Sequence, residues 1–282
     1  MLSPTPLAPI DYLVIGHLTR DLTPSGPRMG GTAAYSGLTA RALGLKVGVI
    51  TSCANDFDRS LLNGIPMINK PTEHSTTFEN VYTQHGRVQF TTRQAPMLDY
   101  SLVPDIWKNS PIVHLGPIAQ EVDPNLSRFF PNSLLVVTPQ GFLRTWDIGG
   151  KVSPCDWPEF RYVLGYSEIA ILSVEDVQTD EERIEELASA AKILVVTDGP
   201  GGCRVFWNGD MRRFVPPEWD EVDATGAGDI FATSYFFRYL YTRDPWESAR
   251  FATQLAARSV LRPGMQGVPT REEIKSCLLE VL

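Results

Sequence analysis

The 282-residue chain has only four cysteines, Cys53, Cys155, Cys203 and Cys277, widely separated and without a CxxC pair. That spacing indicates neither a disulfide framework nor a structural zinc site, and it suits a reducing compartment. The four histidines, His17, His74, His85 and His114, show no metal-ligand spacing, so structural or solvated roles are their default. Positive charge is also scarce: 25 Lys and Arg against 33 Asp and Glu leave a net charge of -8. The basic footprint that phosphate-backbone binding needs is missing, which argues against nucleic acid as a general partner. No run approaches the eighteen apolar residues of a membrane span, and the opening MLSPTPLAPIDYL lacks a basic segment leading into an apolar one. A cytoplasmic protein with no membrane partner is expected.

What the chain does contain is a hydrophobic fraction of 43%, enough at this length for one or two domains burying roughly 70–75% of the unfolded surface. Tyr12 to Gly16 (YLVIG) and Lys46 to Thr51 (KVGVIT) are short apolar runs on either side of a helix-period stretch, Thr32 to Leu43. Strand, helix, strand is the natural reading. Ile112 to Leu115, Leu134 to Thr138, Ile169 to Ser173 and Ile193 to Thr197 are apolar without alternation, which predicts strands covered on both faces. Asp180 to Ala191 reads as a helix with acidic residues at its N-terminal end, favourable to the dipole. Three further helices are predicted over Gly226 to Tyr241, Trp246 to Val260 and Thr270 to Leu282, the first apolar almost all round. Thr76 to Thr92 breaks this α/β rhythm with alternating residues around His85-Gly86, predicting a β-hairpin that projects as a lid. The Pro-rich segments at 4–9 and Val152 to Pro158 read as loops.

The strongest chemical signal is DATGAGD, Asp223 to Asp229, directly before the most apolar helix. Gly226, Ala227 and Gly228 have little or no side chain, so their backbone N–H groups can converge on an anion at the helix N-terminus. An Asp beside such an anion is poorly placed for phosphate affinity and well placed to take a proton from an attacking hydroxyl. The plainer alternative makes Asp229 a first-turn helix carboxylate and the glycines a tight turn.

DATGAGD resembles the C-terminal signature of the PfkB (ribokinase-like) carbohydrate kinases, and other segments follow in that family's order. GHLTRD (Gly16 to Asp21) resembles the substrate-binding segment, and GGTAAY (Gly30 to Tyr35) the N-terminal Gly-Gly region. VVTDGPGG (Val195 to Gly202) resembles the strand and turn bordering the nucleotide, and GMQGVPTREEI (Gly264 to Ile274) the closing segment. The resemblance covers nearly the whole chain. It implies an α/β fold, a ribokinase-like three-layer α/β/α sandwich over residues 1–282, with a small β-sheet lid from about 17–30 and 74–93.

The activity so implied is transfer of a phosphoryl group from ATP, with Mg2+, to a hydroxyl of a sugar, cyclic polyol or nucleoside. Asp229 carries over as base, with Gly226, Ala227 and Gly228 as anion hole. Asp21, Gly30, Gly31, Tyr35, Gln140 and Arg144 fall on the substrate side. Thr197, Gly199, Gly202, Thr225, Gly226 and Gly228 fall on the nucleotide side, and Asp176 with Glu175 on the metal. Each has a structural alternative: a solvated loop carboxylate for Asp21, a helix-entry turn for Gly30-Gly31, an acidic surface pair for Glu175-Asp176 and a surface salt bridge for Arg144.

Departures from the family pattern concern substrate and loop geometry. Tyr35 stands where Asn is common, trading an amide for a ring and one hydroxyl. ANDFDR (Ala54 to Arg59) keeps Asp56 and loses both glycines of GxDxxG. SVED (Ser173 to Asp176) replaces NxxE, and VTPQGFLR (Val137 to Arg144) has Gln140 for the Asn of a DPN-type strand end. Two rivals fail: GxxxxGK[ST] is absent, and the first turn reads GHLTRD rather than GxGxxG. The alternative from another class is a ligand-binding pseudokinase, opposed by the retained Asp229. The lid hairpin can close alone or pair with a second subunit as a homodimer.

Overall fold

A computed structural model describes residues 7–279 apart from 25, 84, 85 and 219. The chain opens with β1 (Tyr12–Ile15), the antiparallel pair β2 (Thr19–Thr23) and β3 (Gly26–Gly30), and α1 (Thr32–Ala42). Next come β4 (Val47–Thr51), β5 (Met67–Asn69), the hairpin β6 (Thr76–Thr83) and β7 (Gly86–Arg93), β8 (Ile112–Leu115) and β9 (Leu134–Val137). A small hairpin, β10 (Arg144–Trp146) and β11 (Val152–Pro154), precedes α2 (Phe160–Tyr166), β12 (Ile169–Ser173), α3 (Glu181–Ala190) and β13 (Ile193–Thr197). The remainder is β14 (Cys203–Trp207), β15 (Asp210–Phe214), α4 (Ala227–Thr242), α5 (Pro245–Ser259) and α6 (Arg271–Leu279).

Nine strands form one sheet in the order β15-β14-β13-β12-β9-β8-β1-β4-β5. Its run from β13 to β5 is parallel, and β14 and β15 extend it antiparallel. Alternate residues of the apolar strands feed two cores, as the lack of alternation predicts. Tyr12, Val14, Ile112, Val136 and Ile171 pack under α1, α4 and α5. Leu13, Ile15, Val113, Val137 and Leu172 face the other side, with Trp107, Trp157 and residues of α2 and α3. The architecture is therefore the three-layer α/β/α sandwich expected, with a separate four-stranded sheet ordered β3-β2-β6-β7.

The Val152 to Pro158 reading needs correction, because Val152–Pro154 is a strand paired with Arg144–Trp146. Asp147 holds the connecting turn by accepting from the backbone N–H groups of Gly149 and Lys151, both at 2.9 Å. The same turn covers part of the small sheet's β7 edge, where Thr91 N–H donates to the Gly150 carbonyl at 2.7 Å. The sequence expectations do not cover β14 and β15: β14 reads CRVFW, with only three apolar residues in a row, and the edge strand β15 reads DMRRF and is largely exposed. His85 of the predicted turn and residues 280–282 of the predicted last helix lie outside the described residues.

Candidate active site

The parallel strands all point their carboxyl ends to one side, and β1 lies where the order reverses, with β4 on one flank and β8 on the other. Ligand crevices in open α/β sheets form at such a point. The loops after β1, β9, β12 and β13 carry His17, Gln140, Asp176 and Gly199 to that end, and the N-terminus of α4 faces it.

Gly226 is the N-cap of α4 in the left-handed conformation, φ 81°, and no side chain caps the helix. An uncapped first turn leaves donors and the positive end of the dipole for an anion. Ala227 N–H already donates to the Ala224 carbonyl at 3.1 Å, whereas those of Gly226 and Gly228 have no partner among the described residues. The donor set is thus narrower than the sequence implies. Space beside Gly228 is open, while a Cβ on Gly226 would lie 2.1 Å from Cε1 of Tyr35.

Asp229 sits in the first turn of α4 and is partly exposed. Burial pushes its carboxyl up to about 6, opposed by a hydrogen bond from the Thr32 hydroxyl and the positive charge of Arg144, and reinforced by Asp176. Asp21, at the centre of β2, is likewise raised by burial to about 6, although the Thr19 hydroxyl donates to it at 2.8 Å. The missing side chain of Gly30 is what admits Asp21: a Cβ there would be 2.0 Å from Oδ2 of the carboxylate. A Cβ on Gly31 would meet the His17 carbonyl at 2.4 Å. These two glycines are buried, and the space they leave is filled by the protein's own groups.

Gln140, Arg144 and Asp176, assigned by resemblance to different ligands, form one cluster. Asp176 closes a capping box by accepting from Ser173 N–H at 2.9 Å through Oδ2. Its Oδ1 accepts from Gln140 Nε2 at 3.2 Å and lies 4.0 Å from the Arg144 guanidinium. Both oxygens are engaged, so Asp176 is not a ready direct ligand for a cation, and Glu175 is exposed beside it. Among the described residues no group of three or more His, Cys, Asp and Glu could hold a metal. That donor set fits a hydrated Mg2+ arriving on phosphates rather than a protein cage.

On the nucleotide side, Thr197 turns its hydroxyl back to the Leu172 carbonyl at 3.3 Å. Gly202 is buried where a Cβ would lie 1.9 Å from the Phe214 carbonyl oxygen, so its role in the turn is structural. Gly199 and Thr225 are exposed, and Thr225 N–H donates to Asp223 at 2.9 Å.

Sequence reasoning missed Thr32, although it stands directly after the Gly-Gly pair. It also missed Glu121, a carboxylate only 4% exposed. Glu121 accepts from the backbone N–H groups of His17, Ile118 and Ala119 at 3.0, 2.9 and 2.7 Å, pinning the exits of β1 and β8 together. Asp56 of ANDFDR accepts from the Ser75 hydroxyl at 2.5 Å, anchoring that loop to the base of β6.

A carboxylate raised to about 6 beside an uncapped helix N-terminus is an arrangement suited to phosphoryl transfer to a hydroxyl, and the class is a phosphotransferase with an alcohol acceptor. Comparison with known proteins agrees. Residues 165–271 match the family described as pfkB family carbohydrate kinase. The chain is 26% identical to a cytidine kinase of Thermococcus kodakarensis over 90% of this chain and 96% of that one. It is 23% identical to a probable fructokinase-4 of Arabidopsis thaliana over 88% and 87%. The fold matches a pyrophosphate-dependent kinase in the ribokinase family, complexed with a pyrophosphate analog and myo-inositol, at TM-score 0.77 and 22% identity, covering 94% of this chain and 99% of that one. Residues 165–271 thus carry the pfkB family carbohydrate kinase match, and the relatives aligned over most of the chain are a nucleoside kinase and a probable sugar kinase. No helix among the described residues is long and apolar enough to cross a membrane.

Proposed function

We propose that the protein transfers the γ-phosphoryl group of ATP to a hydroxyl of a small ring-shaped polyhydroxylated substrate, a sugar, cyclic polyol or nucleoside. The observation that carries this reading is the pairing of Asp229 with the uncapped N-terminus of α4. Asp229 takes the proton as the substrate oxygen bonds to phosphorus and the bond to the donor's bridging oxygen breaks. Free N–H groups of Gly226 and Gly228 and the helix dipole stabilise the charge on the transferring group. A base with its pKa near 6 is mostly ionised at neutral pH and still basic enough to accept the proton.

Asp21, across the cleft, accepts from two neighbouring substrate hydroxyls, and the bare Gly30 leaves room for its carboxylate. Arg144, beside Asp176, supplies positive charge close to Asp229. When bound, Mg2+ would neutralise phosphate charge, with Glu175 reaching its water shell. Val215, 66% exposed beside the Gly199–Gly202 turn, offers an apolar shelf for a base, which favours a nucleotide donor.

The test is product formation by the purified full chain over a panel of sugars, cyclic polyols and nucleosides, with ATP and with pyrophosphate. Phosphorylation of a ring alcohol by ATP is the expected result. Product with pyrophosphate alone would replace the donor, and binding without product under either would leave a ligand-binding protein of the same fold.

A further inference from the structure

Two residues of α1 meet two residues at the start of α4 in matching register. Thr32 donates its hydroxyl to Asp229, and three residues further along α1 the Tyr35 ring lies against Gly226, three residues before Asp229. The ring contact is close: a Cβ on Gly226 would stand 2.1, 2.2 and 2.6 Å from Cε1, Cδ1 and Cζ of Tyr35. Beyond the ring, the Tyr35 hydroxyl lies 3.8 Å from where a Cβ on Gly264 would be. Gly264 N–H in turn donates to Asp223 at 2.8 Å, at the front of the DATGAGD segment. Tyr35 is only 4% exposed, so hardly any of its ring is left for a substrate to pack on.

The assignment of Tyr35 to the substrate side therefore gives way to another. We propose that Tyr35 is a positioning residue, not a substrate contact: its ring braces Gly226 from below and sets the path of the anion-binding loop relative to α1. This rests on the phosphotransfer reading above, because the braced loop is the one that would receive the transferring group. Glycine at 226 and a large flat residue at 35 are then a complementary pair, since a left-handed N-cap with no side chain is the surface the ring needs. Burial and the charges of Asp229, Asp21 and Asp223 keep the phenol protonated against the opposing charge of Arg28, so the brace is neutral throughout the working pH range.

A contact that places the anion hole acts on the transition state more than on the bound acceptor. Tyr35→Ala should lower kcat about 10- to 100-fold while the acceptor KM moves less than about threefold and the ranking of acceptors holds. Tyr35→Phe, which keeps the ring, should restore most of that loss. Tyr35→Leu gives the same kcat-against-KM comparison with more bulk, should the alanine variant fail to fold. A changed acceptor ranking, or a loss appearing in KM with kcat retained, would overturn the proposal and return Tyr35 to the substrate. Thermal unfolding reads the brace without any turnover: Gly226→Ala should lower Tm by more in the wild-type background than in Tyr35→Ala. Equal losses in both backgrounds would show that the ring does not bear on Gly226. An inactive wild-type protein would sink the functional reading and leave this thermal result standing.

Discussion

The Tyr12 hydroxyl lies 2.8 Å from Nδ1 of His114, and Nε2 of the same imidazole lies 2.8 Å from the Thr138 hydroxyl. Both ring nitrogens are thus occupied in a site with no solvent exposure, beneath the loop that leads to Gln140. Burial holds the imidazole pKa down to about 3, against 6.5 in the open chain. Between those values the unfolded chain binds the extra proton, so the stability contributed by neutral His114 is complete above about pH 6.5 and is lost as pH falls toward 3. The gap amounts to roughly 4–5 kcal/mol at most. His114→Gln should flatten the fall of Tm between pH 6.5 and 4, even if it costs stability at pH 7. An acid limb as steep as that of the wild type would remove His114 from the account.

Asp229 should show the opposite sign. Its folded pKa of about 6 lies above the ordinary 3.8, so ionisation above pH 6 destabilises the fold, and protonation relieves it. Asp229→Asn is therefore expected to raise the unfolding free energy at pH 7–8 by about 1–2 kcal/mol after allowing for partial exposure, and Tm with it. The same change should cut turnover by roughly 10²–10⁴. Stability gained with activity lost is the mark of a strained functional group. A variant that is both less stable and fully active would assign Asp229 to helix capping.

Two carboxylates near 6 give the pH profile a particular shape. In the proposed reaction both Asp229 and Asp21 act ionised, one as base and one as acceptor for substrate hydroxyls, and kcat/KM reports the free protein. Below pH 6 its logarithm should approach a slope of two, and Asp21→Asn should leave a slope of one. Asp21→Ala should further reduce kcat/KM by roughly 10²-fold with little change in donor affinity. A wild-type limb of slope one that Asp21→Asn leaves unchanged would count against ionised Asp21 at the substrate.

Gly228→Ala separates the loop's chemistry from its folding. Among the described residues, nothing beyond the neighbouring helix backbone stands within 4 Å of the added methyl, and alanine favours the first turn of α4 by up to about 1 kcal/mol. Tm should hold or rise, while turnover falls about tenfold or more as the methyl crowds the phosphate. Unchanged turnover would show that the phosphate approaches the helix elsewhere.

Local pattern alone was enough for the seven-strand parallel core's central strands, because a strand buried on both faces must be apolar at every position. It was enough for the glycine-bearing turn into α4 too, since small residues before an apolar helix are visible in any register. The edge strand β15 escaped because a strand largely in water carries no such run, and β14 because its apolar stretch is only Val205 to Trp207. Which side chains meet at the site was settled only by packing. Tyr35 and Gly226, Thr32 and Asp229, and Gln140 with Arg144 and Asp176 are far apart in the chain or differ in apparent role, and no period links them. The raised pKa values of Asp21 and Asp229 are likewise tertiary properties: a carboxylate's burial depends on what folds over it, and the chain's order says nothing of that until β2 and α4 have closed on α1.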